Sequence, residues 1–387
     1  MARLRFRGGT GRALLTLLAC ALGAPSLPAA TATRAPFGTL SDGTVIEAVE
    51  LTNRAGVRAR VITYGATLQS LAAPDRHGKV DTITLGYDAI SDYEGHPQYL
   101  GATIGRYANR IAGGRFALDG HTYQLALNNG PNSLHGGSAG FDKRLWAIDA
   151  AQAAGGVASV TLSRVSPDGE EGYPGNLTVR VTYSLADNNE LTMSYLASTD
   201  RPTVINLTNH ALFNLAGTAS GRGALDSTLQ VEADAYTPID ATLIPTGALA
   251  PVAGSDFDFR SPVVLASRVR DARDPQIQLG RGFDHNFAIR GGLQATPRLA
   301  ATLVDQASGR GMTLLTTEPG LQVYSGNFLD GTLAGHDGQL MRQGDGLALE
   351  AQHYPDSPNQ PSYPSVRLNP GQTYRQVTVL RFFTLGR

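Results

Sequence analysis

The chain has almost no cysteine and almost no lysine. Among 387 residues, Cys20 is the one thiol, Lys79 and Lys143 are the two lysines, and Trp146 is the one tryptophan. Cys20 lies inside an N-terminal apolar run. Everything beyond that run therefore lacks a disulfide, a thiol nucleophile and a cysteine metal ligand. Charged residues make up only 17% of the chain, and no basic run follows the N-terminal segment, which argues against a nucleic-acid partner. The loop G-x-x-x-x-G-K-[ST] is missing, so nucleotide phosphates are not cradled in that way. The eight histidines are scattered, without H-x-H or H-E-x-x-H, so no metal site is encoded locally. No apolar run reaches the roughly 20 residues that cross a bilayer.

Gly (45) and Pro (21) are plentiful and follow no G-X-Y period, which describes a turn-rich globular chain. The N-terminal segment differs from the rest. Arg3, Arg5, Arg7 and Arg12 lead into "ALLTLLACALGA" (13–24), and small residues follow up to Ala30 and Ala32. A basic start, a short apolar stretch and an A-x-A-like end predict a secretory signal peptide over residues 1–32, with a single domain over 33–387. The expected location is periplasmic or secreted, with no membrane association after cleavage. A lipid anchor at Cys20 ranks second, because only seven residues separate it from Arg12. Without residues 1–32 the chain carries 28 basic and 33 acidic residues, a net charge of −5.

Past residue 36 the pattern is one of short alternating runs. "TVRVTYSL" (178–185) and "LTMSYLAS" (191–198) each put apolar side chains on one parity, and "ADNNE" between them supplies Asn188 and Asn189 for a hairpin turn. "VRARVITYG", "ASVTLSRV", "TLQVEAD", "MTLLTTE" and "VTVLRFF" read the same way. "INLTNHALFNL" (205–215) alternates too and predicts a half-buried strand with His210 on its polar side. Helical periodicity is weak, with one short element expected near 264–272. Many strands without intervening helices predict an all-β fold, an antiparallel sandwich or barrel.

Five stretches gather polar groups able to do chemistry. They are "GRYANRI" with Arg106, Asn109 and Arg110; "NNGPNSLHGG" with His135; "TNHALFNL" with His210; "GFDHNF" with Asp284 and His285; and "LALEAQHYPDSPNQPSYPS" with Glu350 and His353. Glu350 stands out because a carboxylate placed directly after Leu347, Ala348 and Leu349 is costly to bury unless it is paired.

These stretches, with "TYGATLQSL", "TLGYD", "GFDKRLW", "SPDGEEGYPGNL", "YTPIDATLIPTG", "FDFR" and "QVYSGNFLDG", resemble in order the aldose 1-epimerases over nearly the whole chain beyond the N-terminal segment. The resemblance implies a large antiparallel β-sandwich and an isomerase that interconverts sugar anomers without a cofactor or metal, as a monomer or homodimer. It implies Glu350 as general base, His210 as general acid and His135 as a helper at the ring oxygen. Arg110, Asn109, Asp284 and Gln322 would hold sugar hydroxyls. The chain departs from the family pattern at Leu212, where an aromatic is usual, and lacks a histidine common further on. These changes bear on cleft shape and sugar preference rather than on the reaction.

Proton transfer of this kind calls for an ionised Glu350 and a His210 whose pKa a nearby carboxylate has raised. Two other readings stay open at this point: a glycoside hydrolase using Asp284 and Glu350, and a non-catalytic sugar-binding protein.

Overall fold

The computed structural model describes residues 1, 2, 4, 5, 8 and 30–386. The apolar stretch 13–24 and Cys20, on which the signal-peptide and lipid-anchor expectations rest, lie outside the described residues.

The alternating runs become three antiparallel sheets. The longest has nine strands and opens with a meander, Ala147–Ala154, Val157–Ser166, Leu177–Ala186 and Glu190–Thr199. The C-terminal strand Tyr374–Thr384 pairs beside the last of these. A six-stranded sheet contains Leu212–Phe213, Leu347–Gln352, Gly320–Tyr324 and Asp284–Ile289 side by side, and a five-stranded sheet is built from the N-terminal strands. Inward residues of all three meet in one buried cluster, Val49 and Leu68 from the five, Val181 and Tyr195 from the nine, Leu321 and Leu349 from the six. This is the expected sandwich. Each large aliphatic side chain buried there contributes about 1.5–3 kcal/mol.

The predicted hairpin turns at Asp187–Asn189. Asn189 takes φ +64°, a left-handed conformation that asparagine tolerates, and its side chain accepts from Asn53 Nδ2 at 2.9 Å.

Two expectations need correcting. Residues 264–272 form no α-helix: a short strand, Val263–Val264, leads into a single 3₁₀ turn, Leu265–Ser267. Only Leu265 and Val269 in that stretch are buried, too narrow an apolar stripe to hold a longer helix. The helix comes later, at Pro275–Gly280, where the Asp274 side chain caps the Gln276 N–H at 2.8 Å.

The stretch 205–215 is not one half-buried strand either. It is buried on both parities and touches four neighbours, bridging to Tyr107 at Asn206, pairing through Thr208–Asn209 and again through Leu212–Phe213, and bridging to Thr84 at Phe213. Its odd residues enter the main core as the alternation indicates. Its even residues face other protein rather than solvent, and Leu212 packs in a second apolar cluster with Leu85 and Tyr87.

Candidate active site

The pleat of the six-stranded sheet does the first sorting. In register, Asn286 lies opposite Gln322, which lies opposite Glu350; one step along, Asp284 lies opposite Tyr324. Successive side chains point to opposite faces. Phe287, Leu321, Val323, Leu349 and Ala351 therefore fill the core, and Asp284, Gln322, Tyr324 and Glu350 share the other face.

Loops bring the rest over that face. Asn109 and His135 both hold left-handed backbone, at φ +66° and +51°, conformations that cost most residues energy and cluster at functional sites. They lock one another: the Asn109 N–H donates to His135 Nδ1 at 3.1 Å, and the His135 N–H donates to the Asn109 carbonyl at 3.0 Å. Gly136 makes this approach possible. It sits at φ +87°, and a Cβ there would collide with the Gly105 carbonyl.

The result is a cavity of about 230 Å³ lined by Asn109, Arg110, His135, His210, Asp284 and Glu350, with Gln98, Tyr99, Asn128, Asn129, Leu134, Tyr324 and Phe328 completing the walls. That is room for one hexose ring. His210 Nε2 lies 3.8 Å from Glu350 Oε1. The His135 and His210 rings meet edge to face at 5.2 Å. Arg110 Nη1 is 3.6 Å from Asp284 Oδ2, and its Nε donates to Asn129 Oδ1 at 3.0 Å. Among the described residues, Glu350 Oε2 and His210 Nδ1 are buried without a hydrogen-bond partner.

Electrostatics here differ from expectation. Burial pushes Glu350 well above the usual carboxylate range, Asp284 adds to the effect, and Arg110 opposes it. Burial pulls His210 down to about 4, against a smaller upward effect of its own backbone. His135 is likewise held well below 6.5 by burial, then by His210, Arg110 and Lys143. The nearby carboxylate does not raise His210, because desolvation of the charged forms outweighs their mutual attraction. Burial thus favours the neutral acid and the neutral imidazole over the expected ion pair.

All seven predicted residues converge here, though Gln322 sits in a second layer. It is absent from the cavity wall and donates Nε2 to Asp284 Oδ1 at 2.7 Å, fixing that carboxylate from behind. Others lie outside this cavity. Arg106 is buried and donates to the Pro174 and Gly175 carbonyls at 2.8 and 2.9 Å. His285 points into the core beside Phe257, where burial lowers it to about 3. His353 pairs with Glu318, away from the cavity. Leu212 does not itself line the cavity; it packs behind it in the second apolar cluster, against which the wall residue Tyr324 also rests.

Sequence reasoning passed over Tyr99, Tyr324 and Phe328 as wall residues. Tyr324 and Phe328 lie inside a stretch already singled out and Tyr99 just ahead of one, but an aromatic at any of these positions reads equally well as core.

Ligand atoms of His135, His210 and Glu350 lie within 4.8 Å of one another, close enough to suggest a metal. The Asn109 N–H decides against that. It occupies the Nδ1 lone pair and leaves the proton on Nε2, so His135 faces the cavity as a donor rather than a ligand.

Comparison with known proteins agrees with the geometry. The profile of the family described as aldose 1-epimerase matches residues 47–381. Human galactose mutarotase is 45% identical over 354 residues, covering 91% of this chain and 99% of that protein. The aldose 1-epimerase of Escherichia coli is 39% identical, covering 88% and 96%. Among solved structures, galactose 1-epimerase from Lactobacillus acidophilus superposes with a TM-score of 0.81 at 30% identity, covering 92% and 100% of the two chains. An aldose epimerase homologue from Caenorhabditis elegans gives 0.78 at 33%, covering 87% and 98%.

Proposed function

The chain belongs to the aldose 1-epimerase family, and we propose that Glu350 and His210 interconvert the α and β anomers of an aldohexose such as galactose or glucose held between them. The observation that carries this assignment of roles is the 3.8 Å separation of His210 Nε2 and Glu350 Oε1 in a hexose-sized cavity. The two oxygens that exchange a proton in ring opening, O1 and the ring oxygen, are attached to the same carbon. Acid and base must therefore approach within a few ångström, as these two do.

In the opening step Glu350, as carboxylate, takes the proton from the C1 hydroxyl, and His210, as imidazolium, gives one to the ring oxygen. The C1–O5 bond breaks and C1 becomes an aldehyde. Rotation about C1–C2 turns the other face of the aldehyde to the C5 hydroxyl. Closure reverses the transfers: His210 takes the hydroxyl proton back and Glu350 returns its own to O1. No atom is oxidised and none leaves.

Burial and proton transfer act together here. The one proton of the pair sits on Glu350 at rest and on His210 in the reactive form, and transfer through the sugar returns the pair to the neutral form that burial favours. His135, with its proton fixed on Nε2, supplies a further donor beside the ring oxygen. Arg110, Asn109 and Asp284 orient hydroxyls, with Gln322 steadying Asp284.

The test is polarimetry of freshly dissolved α-galactose, which should reach equilibrium faster with the protein than without it. An aryl galactoside offered in parallel should stay intact. Hydrolysis of that glycoside, or binding of galactose with no gain in rate, would contradict the reading.

Export belongs to the same proposal. It rests on the basic and apolar N-terminal pattern; the strand Thr31–Thr39 overlaps the last two residues of the predicted segment. Among the described residues, no helix is long and apolar enough to cross a membrane.

A further inference from the structure

On a different part of the surface a second cavity, of about 450 Å³, shares no lining residue with the first. His353 forms part of its wall. The ring is buried, and its Nδ1 meets Glu318 Oε2 at 2.6 Å; Glu318 is fully buried. The backbone on either side is pinned as well: the His353 N–H donates to Asn206 Oδ1 at 2.9 Å, and Asn206 Nδ2 donates to the His353 carbonyl at 3.2 Å. This is how proteins hold an imidazole whose other nitrogen has work to do. A carboxylate fixes the Nδ1 proton and the ring plane, and Nε2 is presented to whatever enters. Among the described residues Nε2 has no hydrogen-bond partner.

The rest of the wall selects the visitor. Arg367 and Arg375 stand at the rim, and no carboxylate lines the cavity. The Arg367 guanidinium is committed to Asp119 at 2.7 and 2.9 Å. Arg375 is exposed and, among the described residues, has no carboxylate within ion-pair distance. Ser365, Gln372 and Thr373 add neutral polar groups. The anomerisation steps use none of these residues.

We infer that this cavity is a binding site for a small oxyanion, a phosphate or carboxylate group, engaged by Arg375 at the rim and by His353 at the back. A singly charged guanidinium facing such a group gives a charge-assisted hydrogen bond about twice as strong as a neutral one. His353 Nε2 donates to an oxyanion oxygen when protonated and accepts from a hydroxyl of the same ligand when neutral.

The test is calorimetric titration of the whole protein with inorganic phosphate and, separately, with citrate, each with and without galactose. Binding of either anion to a single site, undiminished by galactose, is the expected result, and the anion that binds identifies the source of the charge. Arg375→Gln should weaken that binding by roughly tenfold or more while leaving mutarotation unchanged. His353→Gln should weaken it too; because that change strands Glu318, the exposed Arg375 variant is the decisive one. No heat with either anion, binding abolished by galactose, or an affinity that Arg375→Gln leaves intact would overturn the assignment. None of these outcomes depends on whether the other cavity anomerises a sugar.

Discussion

At the residue scale the account turns on what burial does to two side chains. Glu350 is held above its ordinary range by burial, then by Asp284, and Arg110 pulls the other way. The reactive pair carries one proton, and that proton is lost as pH rises past the raised Glu350 pKa, so kcat/KM should fall there, on an alkaline limb that Glu350 sets. Asp284→Asn removes an upward influence and should move the limb to lower pH. Arg110→Gln removes the downward one and should move it higher. A pH–rate profile of the three proteins checks both shifts; shifts of the same sign in both variants would contradict the electrostatic reading.

Glu350 should also cost stability. A carboxyl whose folded pKa is raised stabilises the fold fully below its unfolded value, near 4.5, and loses that contribution as pH rises through the folded pKa. At neutral pH Glu350→Gln should therefore unfold at a higher temperature than the parent. The gain is about 1.4 kcal/mol for each pH unit between the unfolded pKa and the lower of the folded pKa and the working pH. Thermal melts at neutral pH and near pH 4.5 would show the difference shrinking at the lower value.

At the scale of elements, the site depends on strands that sort side chains and on loops held in costly conformations. Gly136→Ala puts a Cβ against the Gly105 carbonyl at φ +87° and should destabilise the protein by about 1–3 kcal/mol in urea unfolding. It should also slow mutarotation, because His135 precedes it. The same contrast explains what could be read from sequence. Strands with one wet face, such as Leu177–Ala186, alternate cleanly and were legible. The 205–215 stretch was legible only in its apolar parity, since its polar parity is buried too. Which residues would gather was readable from quoted stretches and family resemblance. How they gather was not: the mutual lock of Asn109 and His135 depends on two left-handed residues 26 positions apart, and no local pattern announces it. The protonation state was misread for a related reason. A sequence shows that a carboxylate and an imidazole are present, but not how deeply the fold buries them.

At the scale of the whole molecule, the first strand among the described residues starts at Thr31 and pairs Thr31 with Thr52 and Ala32 with Leu51. Signal cleavage after Ala30 leaves that strand whole, whereas cleavage after Ala32 removes two ladder residues. Intact-mass analysis of the exported protein should find Thr31 as the first residue. An uncleaved Met1 terminus, or lipid on Cys20, would contradict export by this route. The sandwich otherwise serves as a rigid frame, joining three sheets through one core so that four strands and several loops deliver their polar groups to one small volume. The most direct test of that delivery is the polarimetric rate with fresh α-galactose for the parent and for Glu350→Gln. The account predicts catalysed mutarotation in the parent and a loss of about 10²–10⁴-fold in the variant, with galactose still bound. A parent-like rate in Glu350→Gln would contradict it.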